Sequence, residues 1–156
     1  MDAGLAIGKI LIENRGLSVV VKNICASSCA NYLFLAGHTK IIDHGVVGFH
    51  GNWKAMVQSP NFQRESMQVE PALRADLLAY HKQKVRVETE FFQLAGVSQE
   101  LFDKTQQEND RGLYDIYLPS LRVFVKSGIR NVEGEQNLDA LRTFPGINAF
   151  YDSGSD

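Results

Sequence analysis

Two serines stand between two cysteines in the stretch Cys25-Ala26-Ser27-Ser28-Cys29, and His50 ends the later apolar run Val46-Val47-Gly48-Phe49-His50. A serine hydroxyl can attack a carbonyl carbon when a base takes its proton and nearby backbone amides stabilise the oxyanion. The first amides of a helix are free for that role and carry partial positive charge. Ala26, Ser27 and Ala30 are small enough for a substrate to approach the backbone. The plainer reading makes Ser27 or Ser28 only the cap of that helix. A nucleophile needs a base, and His50 is the best placed of the four histidines. It would end a strand lying beside the serine turn in a parallel sheet. His38, His44 and His81 fall after a helix, in a turn and on a long helix.

The elements that must position these groups are legible as patterns. Leu5, Ile7, Ile10 and Leu11 share a helical face over residues 3–13, with Gly16 as the stop. Leu17 to Ile24 is β-branched and apolar, as a strand buried on both faces requires. The cysteine–serine motif follows, then a helix predicted over Ser28 to Ala36 with Gly37 at its end. Lys40 to Asp43 and Val46 to His50 read as short strands joined by His44-Gly45. Helix, strand, sharp turn, helix and strand is the grammar of an α/β domain with a mainly parallel sheet.

Residues 51–70 are polar but contain Trp53, Met56 and Phe62, and predict an active-site or interface loop. Pro71 opens a long helix to about Leu94, halted at Ala95-Gly96, and Ser98 caps another. A strand near Leu113 to Tyr117 and a helix from Pro119 to Lys126 complete the pattern. The charged side chains of the long helix, Arg74, Asp76, Lys82, Lys84 and Glu88, read as a solvated face. Residues 1–150 are expected to form one domain, and 151–156 a frayed tail.

Bulk properties exclude more than they identify. A chain of 156 residues with 44% apolar content fits one globular domain. A formal charge of −2 leaves no basic footprint for nucleic acid. No apolar run approaches the roughly 20 residues of a membrane span. The first residues lack the basic start and cleavage site of a signal peptide.

In Ala3-Gly4-Leu5-Ala6-Ile7-Gly8, Ser28-Cys29-Ala30-Asn31-Tyr32-Leu33-Phe34-Leu35-Ala36-Gly37 and Gly45 to His50, the chain resembles the Clp protease/crotonase superfamily. The likeness is nearest to its bacterial, often envelope-associated, Clp-protease-like serine hydrolases. It runs from Asp2 to about Asn52, and more loosely to Val132. The resemblance implies a Clp/crotonase-like α/β fold and a peptidase with no cofactor and no metal. Counted back from Gly37, it puts the nucleophile at Ser28, with His50 as general base and the Cys29 amide as an oxyanion donor. The stretch Asp115 to Ile129 is similar to the later family segment, and that similarity makes Asp115 the residue that orients His50, with Asp110 as the fallback. Peptide or protein substrates, a homo-oligomer assembled through the region after His50, and a periplasmic or envelope location are implied in the same way. The family's Gly-Gly loop, which supplies the other oxyanion donor, should precede Ala3, as should its first strands. A truncated or shortened family member is therefore expected, with activity reduced by about 10²–10³ for the lost donor.

Cys25 and Cys29 are close enough for a disulfide, since α-carbons four apart on a helical turn lie about 6 Å apart. That bond would need an oxidising compartment such as the periplasm, and two buried thiols fit the sequence equally well. The Cys25–Cys29 spacing, without a second clear ligand pair, argues against a zinc site. Cys29 as nucleophile runs against the family register. Two rival functions remain: a non-catalytic assembly or binding module of the same fold, and a crotonase-like enzyme acting on acyl thioesters. The pairing of Ser28 with His50 argues against the second.

Overall fold

The computed structural model describes residues 3–154. Along them run α1 (Ala3–Glu13), β1 (Ser18–Val21), β2 (Ile24–Ala26), a π-helix (Cys29–Phe34), β3 (Thr39–Ile42) and β4 (Val46–Gly48). Next come α2 (Trp53–Gln58), α3 (Pro60–Met67), α4 (Pro71–Ala95), α5 (Glu100–Asp110), β5 (Ile116–Pro119) and α6 (Leu121–Lys126). The chain closes with β6 (Val132–Gly134), a 3₁₀ turn (Leu138–Thr143) and β7 (Ala149–Asp152). The fold is mixed α/β, and its strands pair in parallel in three short sheets: β1-β3-β6, β2-β4 and β5-β7.

The single strand expected over 17–24 is two. The chain bends at Lys22-Asn23, so β1 joins β3 while β2 crosses to β4. Asn23 carbonyl oxygen accepts from Val46 N at 2.7 Å, which fixes the crossing. The β2–β4 register sets Ala26 opposite Gly48, so Ser27 and His50 emerge together past the carboxyl ends of neighbouring parallel strands. Open α/β sheets commonly bind ligands at that end. Phe49 and Tyr117 then exchange two backbone hydrogen bonds of 2.8 Å, tying the end of β4 to β5.

Beneath this edge lies a phenylalanine core. Phe34, Phe49, Phe91, Phe92, Phe102 and Phe124 have no exposed surface. Each such side chain contributes about 1.5–3 kcal/mol by leaving water. Helix α1 lies against the π-helix because Gly4 and Gly8 lack side chains on the contact face. A β-carbon at position 8 would lie 2.9 Å from both the Phe91 ring and the Tyr32 carbonyl oxygen.

Several expectations are corrected here. Residues 51–70 are not a loop: Asn52 caps α2 by accepting from Ala55 N at 2.8 Å, and Ser59 caps α3 with Pro60 in its first turn. The strand expected over 113–117 runs over β5, Ile116–Pro119. The tail is not frayed at its start. Tyr151 and Asp152 belong to β7, opposite Leu118 and Pro119, and Asp152 takes hydrogen bonds from Lys104 and from Tyr117 at 2.6 Å. Ser155 and Asp156 lie outside the described residues. On α4, Glu88 is fully buried rather than solvated.

Candidate active site

Ser27 sits between the last residue of β2 and the π-helix with φ of +59°, a left-handed conformation unusual for a serine. Its amide donates to Gly48 carbonyl oxygen at 3.0 Å, and its own carbonyl accepts from Asn31 N at 2.8 Å. This turn aims the hydroxyl across the strand ends at His50. Ser27 Oγ lies 2.6 Å from His50 Nε2.

The tautomer follows from the other face of the ring. His50 Nδ1 is 2.5 Å from the Gly51 carbonyl oxygen, which can only accept, so Nδ1 carries the hydrogen. In the neutral ring Nε2 then presents its lone pair and accepts from the Ser27 hydroxyl. That is the protonation state of a general base poised on a nucleophile. Asn31, buried beneath, donates to the His50 carbonyl at 3.4 Å and steadies the backbone there.

The structure distributes the expected site residues differently from the family count. Ser27, not Ser28, meets His50. Ser28 lines the same cleft, is exposed and makes no side-chain capping hydrogen bond. The physical reason is the π-helix. A count back from Gly37 assumes helical bonds of i to i−4, whereas a π turn closes i to i−5 and holds one more residue, so the register slips by one.

Asp115 does not touch His50. Its Oδ2 accepts from Asn148 N at 2.9 Å, bracing β5 against β7, although the residue stands on the rim of the cleft. Asp110, the fallback, accepts from Gln106 at 2.9 Å and from Asn61 at 3.4 Å. The orienting role expected of a carboxylate therefore falls to the Gly51 carbonyl. Cys29 is disulfide-bonded to Cys25, with α-carbons 5.2 Å apart, and the pair closes a loop around Ser27 and Ser28. The amides of Ser28 and Cys29 open the helix, where no preceding helical carbonyl meets them. With Ser27 as nucleophile, the next amide in the chain is that of Ser28, so the donor role expected of Cys29 moves by the same one residue.

The cleft measures about 520 Å³ and is lined by Tyr32, Trp53 and Met56 together with Asn52, Gln106 and Asn109. Trp53 and Met56, expected at a subunit contact or in a substrate pocket, thus face the cleft. Phe62 packs edge-on against His81 at 4.9 Å, inside its own chain. Burial lowers the His81 pKa, because the ring among Trp53, Phe62 and Tyr80 has little water to solvate a charge.

The sequence reading gave Gly51, Asn31 and Tyr32 no role of their own at the site and placed Glu88 on a solvated face. For Glu88 a signal existed: it falls seven residues after His81 and three and four before Phe91 and Phe92, on the buried face of α4. Among the described residues no three or more His, Cys, Asp or Glu are arranged to hold a metal, and no helix is long and apolar enough to cross a membrane. No protein-family model, curated protein or solved structure matches the chain.

Proposed function

We propose that this protein is a serine hydrolase of Clp-protease-like type that works through a Ser27–His50 dyad. The observation that carries the reading is the 2.6 Å contact between Ser27 Oγ and Nε2 of His50. In the reaction, Ser27 Oγ bonds to the substrate carbonyl carbon as His50 Nε2 takes the hydroxyl proton. The Gly51 carbonyl holds Nδ1–H and stabilises the imidazolium. His50 then gives the proton to the departing amine or alcohol, leaving an acyl group on Ser27. Water then attacks the acyl carbon as the same nitrogen takes its proton, and that proton passes to Ser27 Oγ as the carboxylic acid departs.

The α/β architecture, with nucleophile and base on adjacent parallel strand ends, supports kinship with the Clp/crotonase superfamily. Peptide substrates follow from that kinship, as does assembly into a homo-oligomer. The Cys25–Cys29 bond supports a periplasmic or envelope setting, since such bonds persist in oxidising compartments. The competing reading is a non-catalytic module of the same fold. It draws on one observation: among the described residues, no carboxylate bonds His50.

Reaction with a fluorophosphonate separates the two. An ordinary serine hydroxyl does not react appreciably at neutral pH, so labelling demands a base in contact. Mass spectrometry should place the label on Ser27. Ser27→Ala and His50→Ala should abolish it, and Ser28→Ala should leave it. Absence of labelling in the parent protein would favour the binding module.

A further inference from the structure

Glu88, on α4, has no exposed surface. A carboxylate is among the costliest side chains to bury, and it persists only where donors meet its oxygens. Oε1 accepts from the Tyr32 hydroxyl at 2.6 Å, and Oε2 accepts from the Trp53 backbone amide at 2.8 Å. Those donors come from opposite sides of the candidate site. Tyr32 lies in the π-helix that starts two residues after Ser27. Trp53 is the first residue of α2, three residues after His50, and its amide has no carbonyl within its own helix. Both residues line the cleft.

The rings are fixed as well as the polar ends. Tyr32 packs edge-on against Phe91 at 5.6 Å and stacks on Phe92 at 6.3 Å, and both phenylalanines follow Glu88 on α4. Trp53 packs on His81 at 5.3 Å, two helical turns before Glu88 on the same face of α4. With the Tyr32 hydroxyl and the Trp53 amide turned towards Glu88 and their rings packed on α4, both residues also line the cleft.

We propose that Glu88 is a positioning residue: by bridging Tyr32 and Trp53, it holds the nucleophile side and the base side of the cleft in one fixed relation. It makes no hydrogen bond to Ser27 or His50 and acts through Tyr32 and Trp53. The consequence for reactivity rests on Ser27 being the nucleophile, whereas the bridge does not.

Trp53 is the only tryptophan in the chain, so its fluorescence reports this wall directly. Glu88→Gln keeps the shape but removes the charge and one acceptor. It should slow fluorophosphonate labelling of Ser27 by about tenfold, the effect of one buried charge-assisted hydrogen bond. It should also raise acrylamide quenching of Trp53, with the circular dichroism spectrum unchanged. Tyr32→Phe, which removes the other end of the bridge, should act in the same direction. The double variant should be no slower than Glu88→Gln alone, because both changes cut one connection.

A Glu88→Gln protein that labels at the parent rate with unaltered Trp53 quenching would overturn the proposal. So would one that only melts earlier while its folded fraction labels normally. If the parent protein shows no labelling, the Ser27 reading fails, and the quenching comparison alone decides the bridge.

Discussion

Reducing the Cys25–Cys29 bond should cost both stability and reactivity. The bond closes a loop of five residues, counting both cysteines, since their sequence separation is four. The loop-entropy relation for five residues gives a change of about 7 cal/mol/K, or about 2 kcal/mol at room temperature. Cys25 is buried, and both sulfurs can remain in place as small apolar groups once reduced, so little packing should be lost with the bond. For a chain of this size, about 2 kcal/mol corresponds to a melting temperature lower by about 4–8 °C. Reactivity should suffer more than stability. Ser27 lies inside the closed loop with φ of +59°, a conformation that survives only while its surroundings enforce it. A turn that relaxes moves Oγ off Nε2, and a misplacement of about 1 Å can cost about 10²-fold. The assay compares melting curves and fluorophosphonate labelling with and without dithiothreitol, with thiol titration to verify reduction, and Cys29→Ser as a second route. Reduced protein that melts within about 1 °C of the oxidised form and labels at the same rate would refute the idea that the bond holds the turn.

Asp115→Asn should change the labelling rate by less than about threefold, because Asp115 caps the Asn148 amide and not His50; a loss of about 10⁴-fold, of the size seen when a triad aspartate is replaced, would place a carboxylate on the imidazole in the working state. For Asp152, burial opposes the charge, but the hydrogen bonds from Lys104 and Tyr117 outweigh it and hold the carboxyl down to about 2, from an ordinary 3.8. A depressed acid contributes stability above its unfolded value that is lost as the folded value is approached, so urea midpoints should fall between about pH 4 and pH 2, and Asp152→Asn should flatten that fall. Gly8→Ala should destabilise by about 1–3 kcal/mol in urea unfolding, since the new methyl group meets the Phe91 ring and the Tyr32 carbonyl oxygen.

Local pattern carried most of the architecture. Gly96, at φ of +69°, ends α4 as its place in Leu94-Ala95-Gly96 suggested, and the β-branched runs became strands. Where pattern misled, two local signals competed. Asn52 and Ser59 are ordinary capping residues, yet among so many polar neighbours they read as loop. Tyr151 and Asp152 sit in a polar C-terminal stretch, and only the non-local partners Leu118 and Pro119, with Lys104 reaching Asp152, make it a strand. No window along the chain contains that pairing.

At the site, residue types were legible and the register was not. The CASSC motif and the VVGFH strand pointed to the turn and the histidine that the fold brings together, because a hydroxyl beside small residues and a histidine at a strand end are local chemical facts. Choosing between adjacent serines required knowing how many residues the following helix holds per turn. That number belongs to the hydrogen bonds of Cys29 to Phe34, and these depend on how Tyr32 reaches Glu88 and how Asn31 reaches the His50 backbone. Asn31 and Tyr32 are consecutive and buried, and the Asn31 Nδ2 and the Tyr32 hydroxyl both donate to groups far along the chain. A wider π turn gives those side chains directions that an α turn would not. The extra residue in the turn, the left-handed Ser27 and the buried Glu88 are thus one arrangement, set by partners 19 and 56 residues distant.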